Sequence, residues 1–125
     1  MEIRSFRDVT VWQRAFALAR ENCLVANALR RSRRSGLATQ IERAAASVPA
    51  NVAEGNGRRH RGDYLHHLSI ANGSLAALES HLLSAEALEE SGREQIAATL
   101  ALAREVGRLL GALIRALRAS PRDRR

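Results

Sequence analysis

Few side chains in this chain could carry covalent chemistry, and their spacing argues against it. The four histidines are His60, His66, His67 and His81, and none stands four residues from a second ligand in a metal-binding pattern. His66 and His67 are neighbours, so on a helix they point about 100° apart. Both are read as surface or partly buried side chains. The only cysteine, Cys23, sits among alanine and leucine. It has no partner for an internal disulfide, no histidine to activate it, and is expected to pack in the core. No Ser-His-Asp arrangement is suggested. The sequence therefore predicts no enzyme, no metal and no cofactor.

The chemistry that remains is phosphate contact. The stretch QIERAAASVPANVAEGNGR, from Gln40 to Arg58, ends in a Gly-x-Gly-Arg element. A phosphate-cradling loop would follow a strand and carry a lysine, and this one does neither. Gly55 and Gly57 are instead read as helix-ending residues that tolerate positive φ. They lead into the basic turn Arg58-Arg59-His60-Arg61, which is either a solvated loop or a phosphate site. Within the stretch, Pro49 removes the bond to the Ala45 carbonyl. Asn51 is placed to offer that carbonyl an amide donor, and Glu54 to pair with an arginine across the end of the fold. Ligand contact is the other reading of both.

The charge supports phosphate as the ligand. All twenty basic residues are arginine, against thirteen acidic ones, for a net charge of +7. A guanidinium grips phosphate through a planar two-pronged fork. A GC-rich genome would account for the choice of arginine over lysine, but not for the excess of positive charge. With 46% hydrophobic and 26% charged residues the chain has the composition of a globular domain rather than a disordered one. Aromatics are only 3%, so alanine, leucine, valine and isoleucine must fill the core. The charged N-terminus (Glu2, Arg4, Arg7, Asp8) predicts no secretory leader. No apolar run approaches the roughly 20 residues that cross a bilayer. A cytoplasmic protein without membrane contact is expected.

The elements that must position these arginines are helical. The first helix is expected from an N-cap at Asp8 to about Arg31. One face carries Trp12, Phe16, Ala19, Cys23 and Ala26, widened by Leu18, Val25 and Leu29. The second carries Leu37, Ile41, Ala44 or Ala45, Val48 and Val52. Its stripe continues in phase past Pro49, which predicts one helix kinked there rather than two. The third, from about Asp63 to Glu89, carries Tyr64, Leu68, Ala71, Leu75, Leu78, Leu82 and Ala85 at alternating spacings of four and three. Ser91-Gly92-Arg93-Glu94 reads as a capping box for the fourth.

That fourth helix has two stripes. Ile96, Leu100, Ala103, Gly107, Leu110, Ile114 and Leu117 form one, and Leu102, Val106, Leu109 and Leu113 the other. The second stripe is either an oligomer interface or part of one wide core face. The fold class predicted is all-α: an antiparallel up-down-up-down four-helix bundle over residues 1–119, assembling as a homo-oligomer. Residues 120–125 read as a basic, flexible tail. That topology gathers nine arginines at the end holding the termini and the second turn, against five carboxylates. The opposite end has five arginines against four. Candidate phosphate contacts are therefore Arg58, Arg59 and Arg61, with Arg4, Arg7 and the tail secondary.

A set of motifs carries a family resemblance. They are Val11-Trp12-Gln13, Gly36-Leu37, Gln40-Ile41, Arg43-Ala44-Ala45 and Ser47-Val48-Pro49-Ala50-Asn51-Val52-Ala53-Glu54-Gly55, closed by Gly57-Arg58. Tyr64, Ile70-Ala71, Gly73-Ser74-Leu75 and Leu78-Glu79 follow. Over roughly Phe6 to Leu117 the chain resembles the 23S ribosomal RNA intervening-sequence proteins. The resemblance implies a small up-down bundle that assembles as a ring-like homopentamer, with no enzymatic activity. It also implies kinship with the accessory variability protein of diversity-generating retroelements, a basic pentamer that binds nucleic acid and a reverse transcriptase. One departure is Asn72, where a basic residue is expected before Gly73-Ser74; it takes a phosphate contact away from the third helix. The partners expected are further copies of the chain and RNA or DNA. The alternative is a protein-interaction scaffold with incidental charge.

Overall fold

The computed structural model describes residues 5–89 and 92–120. They form a 3-10 turn (Phe6–Asp8) and four helices: α1 (Thr10–Arg31), α2 (Ser35–Asn56), α3 (Arg61–Leu88) and α4 (Arg93–Ala119). No strand occurs among the described residues. Connections of three or four residues force antiparallel neighbours. The helices pack in cyclic order, α1 on α2, α2 on α3, α3 on α4 and α4 on α1, around one aliphatic core. This is the four-helix bundle expected from the periodicity.

The third helix matches the expected pattern residue for residue. Its buried side chains are Tyr64, Leu68, Ala71, Leu75, Leu78, Leu82 and Ala85, the seven of the seam. In α2 the buried set is Ala38, Ile41, Ala45, Val48, Pro49, Val52 and Gly55. The helix runs as one element through Pro49, as the in-phase stripe required.

The inward face of α1 differs from the expected one. Val11, Ala15, Leu18, Asn22, Val25, Ala26 and Leu29 are buried, while Phe16 and Cys23 are exposed. The two candidate stripes lie about one residue apart on the helix. The core took the one richer in branched aliphatics, leaving Phe16 exposed and Trp12 half-buried against its edge. There Trp12 stacks on Phe16 at 5.1 Å and meets Phe6 edge-on at 4.9 Å. Cys23 lies at the wall of a shallow apolar groove of about 310 Å³, with Phe16, Ala19 and Ala46. Its thiol is thus expected to react readily with a maleimide in the folded protein. Slow labelling that speeds up on dilution would place Cys23 in a contact between copies.

Helix ends also depart from expectation. Asp8 does not cap α1; with Ser5 it closes a capping box on the 3-10 turn, and Val9 precedes the helix. At the far end Arg34 N–H donates to Leu29 O and Arg33 N–H to Arg30 O, a Schellman closure. Arg33 takes the left-handed conformation (φ 63°) that glycine usually fills, at a cost of roughly 1–2 kcal/mol. The N-cap of α4 is Gly92, with φ 74° and no side-chain bond; Ser91 lies outside the described residues.

Ion pairs tie the outer edges. Arg14 of α1 donates to Glu105 of α4 at 2.8 Å, and Arg30 to Glu42 of α2 at 2.9 Å. Arg34 donates to Glu89 at 2.8 Å. These hydrogen bonds hold the carboxyls of Glu42 and Glu105 below the usual carboxylate range. Their contribution is present at neutral pH and lost as the pH falls through the lowered pKa values. Two polar side chains are buried with the core, and Thr99 satisfies its hydroxyl by donating to Gln95 O at 2.9 Å. Asn22 is fully buried, and neither of its amide atoms has a hydrogen-bond partner.

Candidate nucleic-acid interface

The Gln40–Arg58 stretch owes its composition to a close approach between α2 and α3. A Cβ on Gly55 would stand 2.9 Å from both Cβ of His67 and Cδ1 of Tyr64, closer than carbon atoms pack. Gly55 is buried inside α2 rather than ending it. Gly57 is the C-cap, and its φ of −77° is right-handed, not the positive φ expected. The sequence reads both glycines as helix-ending residues that tolerate positive φ. One is a contact residue and the other the cap.

A polar seam accompanies this contact. Ser47 Oγ lies 2.7 Å from Ser74 Oγ across the two helices. Asn51 Nδ2 donates to Ser47 O at 2.9 Å, and its distance to Ser47 Oγ is 3.1 Å. The expected acceptor was the Ala45 carbonyl freed by Pro49. That atom is six residues back, beyond the reach of an asparagine, whereas Ser47 is one turn away. Asn51 Oδ1 lies 3.3 Å from His67 Nδ1; an amide oxygen only accepts, so that ring nitrogen carries the proton. Glu54 was expected to pair across the bundle end. It accepts instead from Arg58 at 3.0 Å in its own chain segment, and His67 Nδ1 lies 4.0 Å from its other oxygen. Sequence reading missed Ser74 and His67 as members of this seam. Their spacing to Ser47 and Asn51 becomes visible only once α2 and α3 are antiparallel.

The arginines of the terminal end are unequally available. Arg58 is engaged by Glu54. Arg61 is half-buried, and its Nη1 is buried without a hydrogen-bond partner among the described residues. Arg59 is exposed. Arg7 is exposed beside the Phe6 ring, at 5.7 Å. Arg4 and residues 121–125 lie outside the described residues. A cleft of about 290 Å³ opens at this end, lined by Asp8, Val9, Thr10, Asn56, Tyr64, Leu113 and Leu117. Its lining is mainly apolar and its one charge negative, so it does not suit phosphate.

The second stripe of α4 is divided. Leu102 is buried and Val106 completely so within the single chain. Leu109 and Leu113 are half-buried and pack on the same core. Leu102 and Val106 were candidates for a subunit interface. The structure places them in the chain's own core because α4 faces both α1 and α3 and needs a wide apolar arc to do so. Among the described residues no three His, Cys, Asp or Glu side chains converge as metal ligands. No described helix is long and apolar enough to cross a membrane.

Comparison with known proteins agrees with this architecture. A solved structure from Bacteroides thetaiotaomicron VPI-5482, a protein of unknown function from the S23 ribosomal protein family, superposes with a TM-score of 0.77 at 24% identity. The match covers 84% of this chain and 98% of that one. No curated protein matches the sequence. The model of the 23S rRNA-intervening sequence protein family matches residues 7–112, which include the whole α2–α3 seam and most of α4. By its sequence over that span and by its four-helix fold, the chain belongs to the 23S rRNA-intervening sequence protein family.

Proposed function

We propose that this chain is a non-catalytic, homo-oligomeric bundle that binds the backbone of RNA or DNA through arginines. The observation that carries the reading is the net charge of +7, built wholly from guanidinium groups on a small helical surface. Each phosphate neutralised releases condensed counterions, which drives association whatever the base sequence. Assembly as a homopentamer, which the family resemblance implies, would repeat the same field around a ring. In such a role the protein would act as an accessory to a reverse transcriptase or to an element inserted in ribosomal RNA genes.

A second reading, the protein-interaction scaffold, has its own support. Phe16 and Leu24 on α1, and Ile70, Leu83 and Leu88 on α3, are large apolar side chains between 41% and 55% exposed. In the oligomeric reading these same ridges are where copies would meet. Titrating RNA and DNA at several salt concentrations tests the proposal. Binding is expected to be insensitive to sequence, with log K falling linearly as log[salt] rises, by about 0.9 for each duplex phosphate contacted. No binding to either polymer at low salt would hand the function to the scaffold reading.

A further inference from the structure

A row of arginines runs along the outer face of α4. From residue 103 to 119, every exposed position of α4 holds arginine or alanine. The arginines are Arg104, Arg108, Arg115 and Arg118. At 100° per residue they fall within an arc of about 80°, and at 1.5 Å per residue they span about 21 Å of helix. None makes a hydrogen bond or ion pair within the described residues. The one carboxylate on this part of the helix, Glu105, is held by Arg14. Arg108 acts on it only at longer range. From Val106 to Ser120 there is no acidic residue at all.

The geometry points to this row as the principal phosphate-binding surface, and to a double-stranded nucleic acid as its ligand. This deepens the reading above and rests on it. The exposed positions between the arginines are alanines, so the helix is slender there and its axis can come close to a duplex. Gly111 leaves room along the row: Nη1 of Arg115 lies 3.2 Å from where a Cβ would stand, following the N-terminal lean of helical side chains. Single-stranded polymers held without sequence preference are gripped by stacking bases on aromatic rings, and α4 has no aromatic residue. The exposed part of the row also offers no amide or hydroxyl side chain to read a base edge. What remains is a straight line of charge-dense forks, fitted to a regular line of phosphates. Arg58 and Arg61, by contrast, are tied to Glu54 or half-buried.

Two full-length variants separate the possibilities. One carries Arg104→Gln, Arg108→Gln, Arg115→Gln and Arg118→Gln; the other carries Arg58→Gln, Arg59→Gln and Arg61→Gln. Glutamine keeps helix propensity close to that of arginine, and circular dichroism with light scattering checks that helicity and assembly are kept. Binding to duplex DNA, duplex RNA and the matching single strands is measured against salt. The α4 variant is expected to lose about 3 to 4 units of salt slope per engaged chain on duplex. The turn variant should lose about 1, from Arg59, and the parent should prefer duplex to single strand. A larger loss in the turn variant, or a parent preference for single strands, would overturn this inference and leave the proposed function standing. A parent that binds no nucleic acid at low salt would overturn both.

Discussion

Val106→Glu is expected to abolish cooperative folding at pH 7. Val106 is completely buried, on the side of α4 that faces the chain's own core. A carboxylate there would be unpaired, and burial would push its pKa up by about 3–5 units. At pH 7 the group would then take up a proton, which from a free glutamate near 4.3 costs roughly 3.7 kcal/mol, on top of burying an unpaired carboxyl and the strain of a larger side chain. A domain of this size has about 5–15 kcal/mol in total. The expected result is loss of the far-ultraviolet helical signal or a molten, dye-binding state. Leu109→Glu, on the half-buried flank of the same stripe, is expected to keep its helicity. If Val106→Glu instead gave a folded protein that merely changed its oligomeric state, the stripe would be an interface and the core assignment wrong.

Leu78→Ala is expected to lower the unfolding free energy by about 2–5 kcal/mol. Leu78 is completely buried in the middle of α3, a helix that packs against both α2 and α4. Such a site relaxes little around a cavity, because helices held on two flanks cannot both move in. Urea denaturation reads the effect as a lower midpoint at unchanged slope. Leu83→Ala, on the same helix but 46% exposed, serves as the control, with a change within about 0.5 kcal/mol. Equal effects at the two positions would mean that the seam is misplaced.

The contrast between α1 and α3 shows what the sequence made legible. In α3 a single seam fits the helical period, and all seven of its residues are buried. In α1 two apolar stripes compete. Periodicity ranks neither, because a Trp-Phe-Cys face and a Val-Leu-Val face look alike to a helical wheel. Packing decided between them, since branched aliphatics mesh with the alanine-rich neighbour α2 while the Trp12–Phe16 stack needs more room. At the candidate site the basic composition was readable and its placement was not. Arg58, Arg59 and Arg61 are consecutive enough to be noticed. The four arginines from Arg104 to Arg118 are spread over fifteen positions of α4, and form a row only after the helix is wound and its inward face is known. Gly55 misled for a related reason: a glycine near a helix end looks like a cap until the neighbouring helix shows that it is a point of contact.

The row on α4 has a property that follows from its being made of arginine alone. A guanidinium stays protonated at any pH a cell reaches, and there is no lysine in the chain for an acetyltransferase to neutralise. Methylation narrows arginine's hydrogen bonding but keeps its charge. Neither a change in cellular pH nor lysine acetylation can therefore switch the positive field off. A polymer held by it would be released by exchange, to another polyanion, to rising ionic strength, or to a protein surface acidic enough to take its place.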